Sequence, residues 1–271
     1  VGGYGSVECY MAMVWGRLAG VPVLMASDSN IAADNNAGIK RVVKTALLRT
    51  IVRLVRGLLP CGQLGRAYFK QYGARDEQMF DYPYTADPAP IADIAFDAVE
   101  RVMTKYGLDP DRKRFICSGR LVDFKGFDLA IDAFNQVADE RHDWDLVIAG
   151  DGELRAALEA RVRPDLRDRV NWLGFVADQS ELATIYKASH IFVHPARREP
   201  WGVVVNEAVI AGLAVAAPEA PEAGALPELE SPQAVAAKAA VRRKPRDRAC
   251  LRDIAVGSVR WRVGDGNRGT F

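Results

Sequence analysis

Short apolar segments alternate with helical patterns from residue 112 onward, and this alternation restricts the fold more than any other feature of the sequence. Five apolar segments of strand length occur, at 114–118, 144–149, 170–173, 191–194 and 213–217. Between them, apolar residues recur every three or four positions, which is typical of amphipathic helices. Strands that alternate with helices predict right-handed β-α-β crossovers and a parallel sheet covered on both faces.

Candidate binding segments follow the first four apolar segments. They occupy 119–120, 150–152, 175–176 and 195–199. Ligands of such sheets bind outside the carboxyl ends of the strands, so this edge is the predicted binding crevice. Asp151 is explained by capping of the next helix, and we do not assign it to the site.

Glu199 and Glu207 lie eight positions apart, around a Pro-Trp-Gly turn. Pro200 and Gly202 predict a loop that carries Glu199, followed by a helix over 202–212 that carries Glu207. A carboxylate in such a loop can accept hydrogen bonds from sugar or ribose hydroxyls. The alternative interpretation is a charge at a helix terminus and a solvated glutamate.

The first turn of that helix has backbone N–H groups without intrahelical partners. Together with the helix dipole, such groups favour phosphate. The residues predicted to present them to the crevice are Gly202, Val203 and Val204.

Five segments carry a resemblance to a known family. They are SGRLVDFKGFDLAIDAF at 118–134, LVIAGDGELRAALEA at 146–160, VNWLGFV at 170–176, a helix around 182–186, and ARREPWGVVVNEAVIAGLAVAA at 196–217. Their order resembles the retaining, GT-B-fold glycosyltransferases of family 4, strongly over 112–217 and more weakly over 1–95. The resemblance implies an α/β fold of GT-B type, in which a Rossmann-like parallel-sheet domain binds the nucleotide sugar and part of a second Rossmann-like domain precedes it.

The resemblance also implies roles for individual residues. In the family, an Arg and a Lys bind the donor diphosphate, which corresponds to Arg120 and Lys125. The first Glu contacts the transferred sugar and the second contacts the ribose, which corresponds to Glu199 and Glu207.

Phe175 and Val176 follow the third strand and are predicted to border the nucleotide base through backbone and packing contacts. A core position for Phe175 is the alternative.

The resemblance implies a hexosyltransferase-type enzyme. It would transfer a sugar, with retention, from a nucleotide-diphosphate-sugar donor to a glycan or lipid-linked acceptor. Arg120, Lys125, Glu199 and the helix N–H groups can stabilise the reacting charges, so no cofactor and no metal are expected. An inactive donor-binding fragment and a GT-B-fold sugar-nucleotide epimerase remain alternatives.

Composition excludes several other classes of protein. A formal net charge of +1 argues against a general nucleic-acid binder. The chain has three histidines, of which His190 and His194 share one strand face, and no further ligand lies at metal spacing near them, so we predict no zinc site. Four scattered cysteines without a C-x-x-C motif favour a reducing, cytoplasmic location.

Residues 35–75 contain nine Lys or Arg and no Asp or Glu. Within them, the stretch at 39–59 is a long helix candidate. Its cations at 40–56 could contact an anionic membrane, which would place the protein peripherally at the inner membrane face. Because its apolar residues surround nearly the whole helix, a buried helix with snorkelling cations is the alternative.

Three regions are predicted along the chain. Residues 1–95 would form part of an acceptor-side domain and a proline-rich linker, and 96–217 a truncated donor-binding domain. Residues 218–271 lose both periodicities and are rich in Pro, Ala and Arg, which predicts a disordered tail. A shifted reading frame would produce such a composition. Residues 1–95 resemble only the later half of the family's acceptor domain, which implies a fragment without independent activity.

Overall fold

The computed structural model describes residues 1–32, 34, 37–82, 84–92, 94–218, 254–256 and 259–263. Their contacts divide the chain into two compact units, Val1–Tyr84 and Thr85–Phe271. Each unit has a β-sheet with helices packed on it.

The first unit has a two-stranded parallel sheet. Its elements are α1 (Val7–Ala19), β1 (Leu24–Ser27), α2 (Gly38–Leu54), β2 (Gly57–Pro60) and α3 (Gly62–Lys70), followed by a 3₁₀ turn at Asp76–Gln78. β1 pairs with β2 in register from Leu24 opposite Gly57 to Ser27 opposite Pro60. Met13, Met25, Leu48, Leu58 and Phe69 are fully buried or nearly so and form its core.

The predicted helix over 39–59 is too long at its carboxyl end. α2 ends at Leu54 because Val55 adopts an extended conformation, and the following residues enter β2. Leu58 is fully buried opposite Met25 in the sheet, a packing gain that the local helical pattern does not reveal.

The apolar residues of α2 are divided between core and surface. Ile51 and Val52 are buried, whereas Ile39, Val42 and Val43 are 80%, 67% and 62% exposed. The amino-terminal half of α2 therefore combines exposed apolar side chains with the exposed cations of the same helix. The alternative, a buried helix with snorkelling cations, is wrong for this half of α2.

The second unit is built on a seven-stranded sheet. Its elements are α4 (Ala89–Ala92), α5 (Phe96–Tyr106), β3 (Lys113–Ser118), α6 (Phe127–Val137), β4 (Trp144–Ala149), α7 (Arg155–Arg161), β5 (Val170–Gly174), α8 (Gln179–Lys187), β6 (Ile191–Val193), α9 (Val203–Ile210), β7 (Ala214–Pro218), β8 (Ile254–Val256) and β9 (Val259–Val263). The strand order is β5-β4-β3-β6-β7-β9-β8. β3 to β7 are parallel, as the alternating pattern predicts, whereas β9 runs antiparallel to β7 and to β8.

The strand order reverses at β3. The chain proceeds from β3 to β4 and β5 on one side, then returns to place β6 and β7 on the other. β3 and β6 are therefore neighbours whose following loops leave in opposite directions, and the crevice between those loops is the topological switch point at which ligands of open α/β sheets bind. The loops after β3 and β6 carry four predicted site residues, Arg120, Lys125, Glu199 and Gly202.

Both faces of this sheet are covered by apolar side chains. Phe115, Ile148 and Phe134 belong to one buried cluster. Ile116, Val147 and Phe192 belong to the other. Burial on two faces explains why the strand segments read as continuous apolar runs instead of alternating ones.

The linker predicted up to residue 95 is shorter in the structure. The first unit ends at Tyr84, and α4 packs on α8 and α9 of the second unit. Ile91 is 1% exposed, so this proline-rich segment is fixed by burial of an apolar side chain.

The tail prediction falls mostly on residues outside the described part of the chain, and disorder there stays a prediction. Two short described segments, 254–256 and 259–263, differ from it because they form a hairpin that pairs with β7. The free edge of β7 provides backbone partners that composition cannot show. Among the described helices, none is long and apolar enough to cross a bilayer.

Candidate functional site

Lys125 and Glu199 meet at the switch point. Lys125 ends a 3₁₀ turn after β3, and Glu199 lies in the loop after β6. Lys125 Nζ donates to Glu199 Oε2 over 2.6 Å, although 74 positions separate the two residues, and each side chain is 20% exposed. Two residues predicted separately for diphosphate and sugar thus lie in one charged pair at the mouth of the crevice.

Close backbone packing holds the two loops together. Gly126 has φ +66°, and a Cβ at this position would lie 2.2 Å from the Pro195 carbonyl oxygen, so only glycine fits. Arg197 N–H donates to the Phe124 carbonyl over 3.0 Å, and its guanidinium binds both oxygens of Asp128 at 2.8 and 2.6 Å. This fork fixes the loop after β6 on the start of α6 and therefore positions Glu199.

His194 lies behind the pair. Its Nε2 is 3.7 Å from Glu199 Oε2, and its ring stacks on Phe192. Burial lowers the pKa of His194 below its usual value, more than the neighbouring Glu199 raises it. A neutral imidazole adds no charge here, so Lys125 is the cation that faces Glu199.

The amino terminus of α9 follows directly after this loop. Gly202 precedes the helix in a left-handed conformation, φ +74°, and the Gly202 carbonyl accepts the hydrogen bond from Val205 N–H. The N-cap residue, Gly202, has no side chain with which to cap this helix end. Val203 and Val204 begin α9 as predicted, in the first turn, whose N–H groups have no acceptors within the helix.

Glu207 is buried within α9, with 8% exposure. Gln179 Nε2 donates to its Oε1 over 2.7 Å, and the Tyr186 hydroxyl donates to its Oε2 over 3.3 Å. The Tyr186 hydroxyl also lies 2.6 Å from Ser118 Oγ, at the end of β3. The solvated-glutamate interpretation is therefore wrong for Glu207.

Sequence reasoning did not find Gln179, Tyr186 or Ser118. Tyr186 fits the apolar periodicity of α8, so the sequence indicates only a core residue. Its hydrogen-bond partner, Glu207, lies 21 positions further along the chain. The one available signal is Ser118, which directly precedes the predicted segment 119–120.

The remaining predicted residues lie along the same edge of the sheet. Arg120 is exposed in the loop after β3, five positions before Lys125. Phe175 follows β5 and is 78% exposed, so the core alternative for it is wrong. Val176 is half-buried against the cluster that contains Phe192.

The histidines have other partners. His190 Nδ1 accepts from Arg114 N–H at 3.3 Å, and His194 stacks on Phe192. Within the part of the chain that the structure describes, no group of three His, Cys, Asp or Glu side chains could hold a metal ion.

A family model supplies the decisive comparison, because it matches the segment that contains all these site residues. The model is that of the glycosyl transferases group 1, and the match covers residues 99–223. Residues 99–223 are similar to the glycosyl transferases group 1 family. The resemblance of the motifs to glycosyltransferases is thereby confirmed.

Curated relatives agree with this family. The chain is 38% identical over 110 residues to an uncharacterized glycosyltransferase of Methanocaldococcus jannaschii, which is 40% of this chain and 28% of that protein. It is 29% identical over 182 residues to 2-deoxystreptamine glucosyltransferase of Streptomyces kanamyceticus, which is 66% of this chain and 46% of that protein. The chain thus spans less than half the length of both relatives.

Solved structures of glycosyltransferases share the fold. The crystal structure of Anabaena HepE in complex with UDP and glucose matches with a TM-score of 0.62 at 20% identity, over 76% of this chain and 55% of that one. The fold is the α/β, GT-B type that the motifs predict, with parallel sheets.

Proposed function

We propose that the second unit binds a nucleotide-diphosphate sugar at the β3–β6 switch point. We further propose that the protein transfers this sugar, with retention, to a glycan or lipid-linked acceptor. The observation that carries the proposal is the contact of Lys125 with Glu199 beside the start of α9. It supports the proposal because one cation and one carboxylate meet beside the first turn of α9, within the segment that matches the glycosyl transferases group 1 family. HepE, a protein of the same fold, has been crystallised with UDP-glucose, which supports a donor of this class.

The donor diphosphate would replace Glu199 as the partner of Lys125. Negative charge grows on the leaving β-phosphate as the glycosidic bond breaks, and fixed cations and N–H dipoles stabilise it without reorganisation. Lys125 gives a mobile point charge, Arg120 in the same loop can bind two phosphate oxygens in a fork, and the first turn of α9 can donate N–H groups to the same anion. The Lys125–Glu199 pair is then the resting arrangement of the crevice.

Glu199 acts in this proposal by orienting the sugar. A double displacement through a covalent intermediate would need a second carboxylate about 5 Å away. Glu207 is held inside α9 by Gln179 and Tyr186, where it suits the ribose instead. Retention would then follow from attack and departure on the same face of the sugar, with Glu199 binding its hydroxyls and steadying the positive charge that develops at the reacting carbon.

A screen of nucleotide sugars tests the proposal. Thermal unfolding of the chain, and of the longer protein if this chain is a part of one, is measured with UDP-, GDP- and ADP-sugars, with and without EDTA. Because a ligand of the folded state raises stability by mass action, the correct donor should raise Tm in both buffers. No shift with any donor contradicts the proposal, and a shift that EDTA abolishes contradicts its metal-independent form.

The two alternatives give different results in the same experiment. Donor-dependent stabilisation without product, given a range of glycan and lipid-linked acceptors, favours a donor-binding fragment. Conversion of the nucleotide sugar with no acceptor present favours the epimerase.

Replacing Arg120 with Ala should weaken nucleoside diphosphate binding by about 1.5–3 kcal/mol, the range for a charge-assisted hydrogen bond. The free nucleoside should bind as before, because it has no phosphate to lose. Isothermal titration with both ligands measures the difference. Arg155→Ala is the matched control, since Arg155 pairs with Glu159 on α7. Equal losses for nucleoside and nucleoside diphosphate would refute the assignment.

We also propose that α2 contacts anionic membrane lipid, with the protein on the cytoplasmic side. The support is the exposed apolar group Ile39, Val42 and Val43 beside Lys40 and Arg41 on the same helix. Apolar side chains next to cations are what an interfacial helix presents to headgroups.

Binding to acidic liposomes should fall as salt rises from about 50 to 500 mM, because the screening length shrinks from roughly 14 Å to 4 Å. Flotation with acidic and with neutral vesicles measures this binding. The double substitution of Lys40→Ser and Val43→Ser should weaken binding to the acidic vesicles. Salt-independent binding, or none, would contradict the membrane contact.

A further inference from the structure

Glu207 is held by one donor on each carboxylate oxygen. Gln179, the first residue of α8, binds Oε1, and Tyr186, two turns further along the same helix, binds Oε2. Both contacts bridge α8 to α9. The carboxylate is therefore fixed in rotation as well as in position, because a turn about its last bond would break both hydrogen bonds.

The proton direction in this network follows from the chemistry of its members. An ionised carboxylate can accept hydrogen bonds and cannot donate them, so the Tyr186 hydroxyl must donate its one proton to Glu207. The 2.6 Å contact between Tyr186 and Ser118 then requires Ser118 to donate to Tyr186. Ser118 closes β3 immediately before the loop of Arg120, so the chain of hydrogen bonds joins the phosphate-side loop to the residue proposed for the ribose.

The network leaves a defined capacity on Glu207. A carboxylate has about four lone-pair positions, two on each oxygen. Gln179 and Tyr186 occupy one on each oxygen, so one remains on each. Two neighbouring hydroxyl groups, such as a ribose 2′,3′-diol, need just such a pair of acceptors side by side.

We propose that Tyr186 and Gln179 are positioning residues that fix the Glu207 carboxylate so that each of its oxygens accepts one hydroxyl of the donor ribose. This rests on the proposed function, in which Glu207 contacts the ribose. It extends that function by assigning the selection of a ribose over a deoxyribose to residues of α8 that do not touch the ligand.

Tyr186 can be altered with little effect on packing. Its side chain is fully buried, with its ring edge against Phe192 at 5.8 Å between centroids. Burial, and then the charge of Glu207, raises the pKa of Tyr186, which keeps the hydroxyl protonated as a donor. Tyr186→Phe keeps the ring and removes only the hydroxyl oxygen that contacts Glu207.

The test compares ribose with dideoxyribose ligands. The full chain is titrated calorimetrically with UDP, GDP and ADP, and with the 2′,3′-dideoxy form of whichever one binds. Tyr186→Phe should weaken the ribonucleotide about tenfold and leave the dideoxy form unchanged, since the latter has no hydroxyls for Glu207. Gln179→Ala should act in the same direction, and Glu207→Ala should bring the two affinities together.

Tyr106→Phe is the matched control. The Tyr106 hydroxyl also donates to a glutamate of α8, Glu181, at 2.9 Å, on the side that packs against α5. Its loss removes the same kind of hydrogen bond and should change neither affinity. Thermal unfolding of each variant confirms that it is folded under the conditions of titration.

Each contrary outcome identifies which statement fails. The positioning role is overturned if Tyr186→Phe and Gln179→Ala keep the full preference for ribose while Glu207→Ala loses it. The proposed function then still stands. Equal weakening of both ligand forms in Tyr186→Phe overturns it as well, because this marks a general structural effect. An unchanged preference in Glu207→Ala, or a wild-type chain that binds none of the three diphosphates, overturns the proposed ribose contact and the positioning role with it.

Discussion

Replacing Glu199 with Ala should lower kcat about 100-fold or more in a form of the protein that transfers sugar, while sparing the affinity for the nucleoside diphosphate alone. The expected fall in kcat is the usual effect of losing a group that orients the reacting centre and stabilises charge in the transition state. The nucleoside diphosphate alone should bind with unchanged or higher affinity. In the free protein Lys125 is bound to Glu199 at 2.6 Å, and the substitution releases this cation for the diphosphate.

Glu207→Ala is the contrasting variant. It removes a contact made with the nucleotide in both ground and transition states, so it should weaken nucleoside diphosphate and nucleotide sugar alike. Titration of both variants with both ligands needs no acceptor, and steady-state kinetics of the longer protein supplies kcat. Identical behaviour of the two variants, or intact turnover in Glu199→Ala, would contradict the division of roles between the two glutamates.

The architecture of the second unit was predictable because it depends on local patterns. The predicted strand at 144–149 is β4, with the same bounds. The helix predicted over 202–212 is α9, which is shorter than predicted at both ends. Continuous apolar runs mark strands buried on two faces, and glycine marks the turns that join them to helices. The edge of the sheet that holds the site follows from those two features.

Pairings across the chain were not predictable from those patterns. The pattern predicts a helix up to residue 59, because Leu58 and Leu59 suit a buried helix as well as a strand. The burial of Leu58 opposite Met25 favours the strand. The Tyr186 hydroxyl meets Glu207 because α8 and α9 pack together, and periodicity places a tyrosine in the core without saying where its hydroxyl points. A single sequence gives positions along elements, whereas these contacts depend on how elements meet.

Charge presents the same difficulty in a sharper form. The sequence does not distinguish the Lys125–Glu199 pair from the group formed by Asp145, Arg112 and Arg169, since both join distant residues of opposite charge. The second group lies at the amino-terminal ends of β3, β4 and β5, opposite the binding edge. Arg112 Nε donates to Asp145 Oδ1 over 2.8 Å, and Arg169 Nε lies 3.8 Å from the same oxygen.

Burial dominates the energetics of Asp145. It raises the pKa of this carboxyl above its usual value, more than Arg112 and Arg169 lower it, so the ionised form is costly in the fold. Because the folded-state pKa is the higher one, the stability that Asp145 contributes is greatest below its unfolded pKa, near 4, and falls as pH rises through the folded value. The attraction of Asp145 to Arg112 and Arg169 therefore offsets only part of the cost of desolvating its carboxylate.

Asp145→Ala should nevertheless lower the free energy of unfolding by about 3 kcal/mol, because it leaves two largely buried guanidinium groups without their carboxylate. Asp145→Asn should cost less, since the amide keeps an acceptor for Arg112 and buries no charge. Asp143→Ala is the matched control two positions away, where an exposed carboxylate pairs with Lys113 at 3.5 Å, and it should cost less than about 1 kcal/mol. Urea unfolding measures all three variants, and titration with nucleoside diphosphate should show unchanged affinity in each. A similar loss in Asp143→Ala and Asp145→Ala would contradict the role of burial, and weakened nucleotide binding in Asp145→Ala would show that this edge of the sheet is coupled to the ligand.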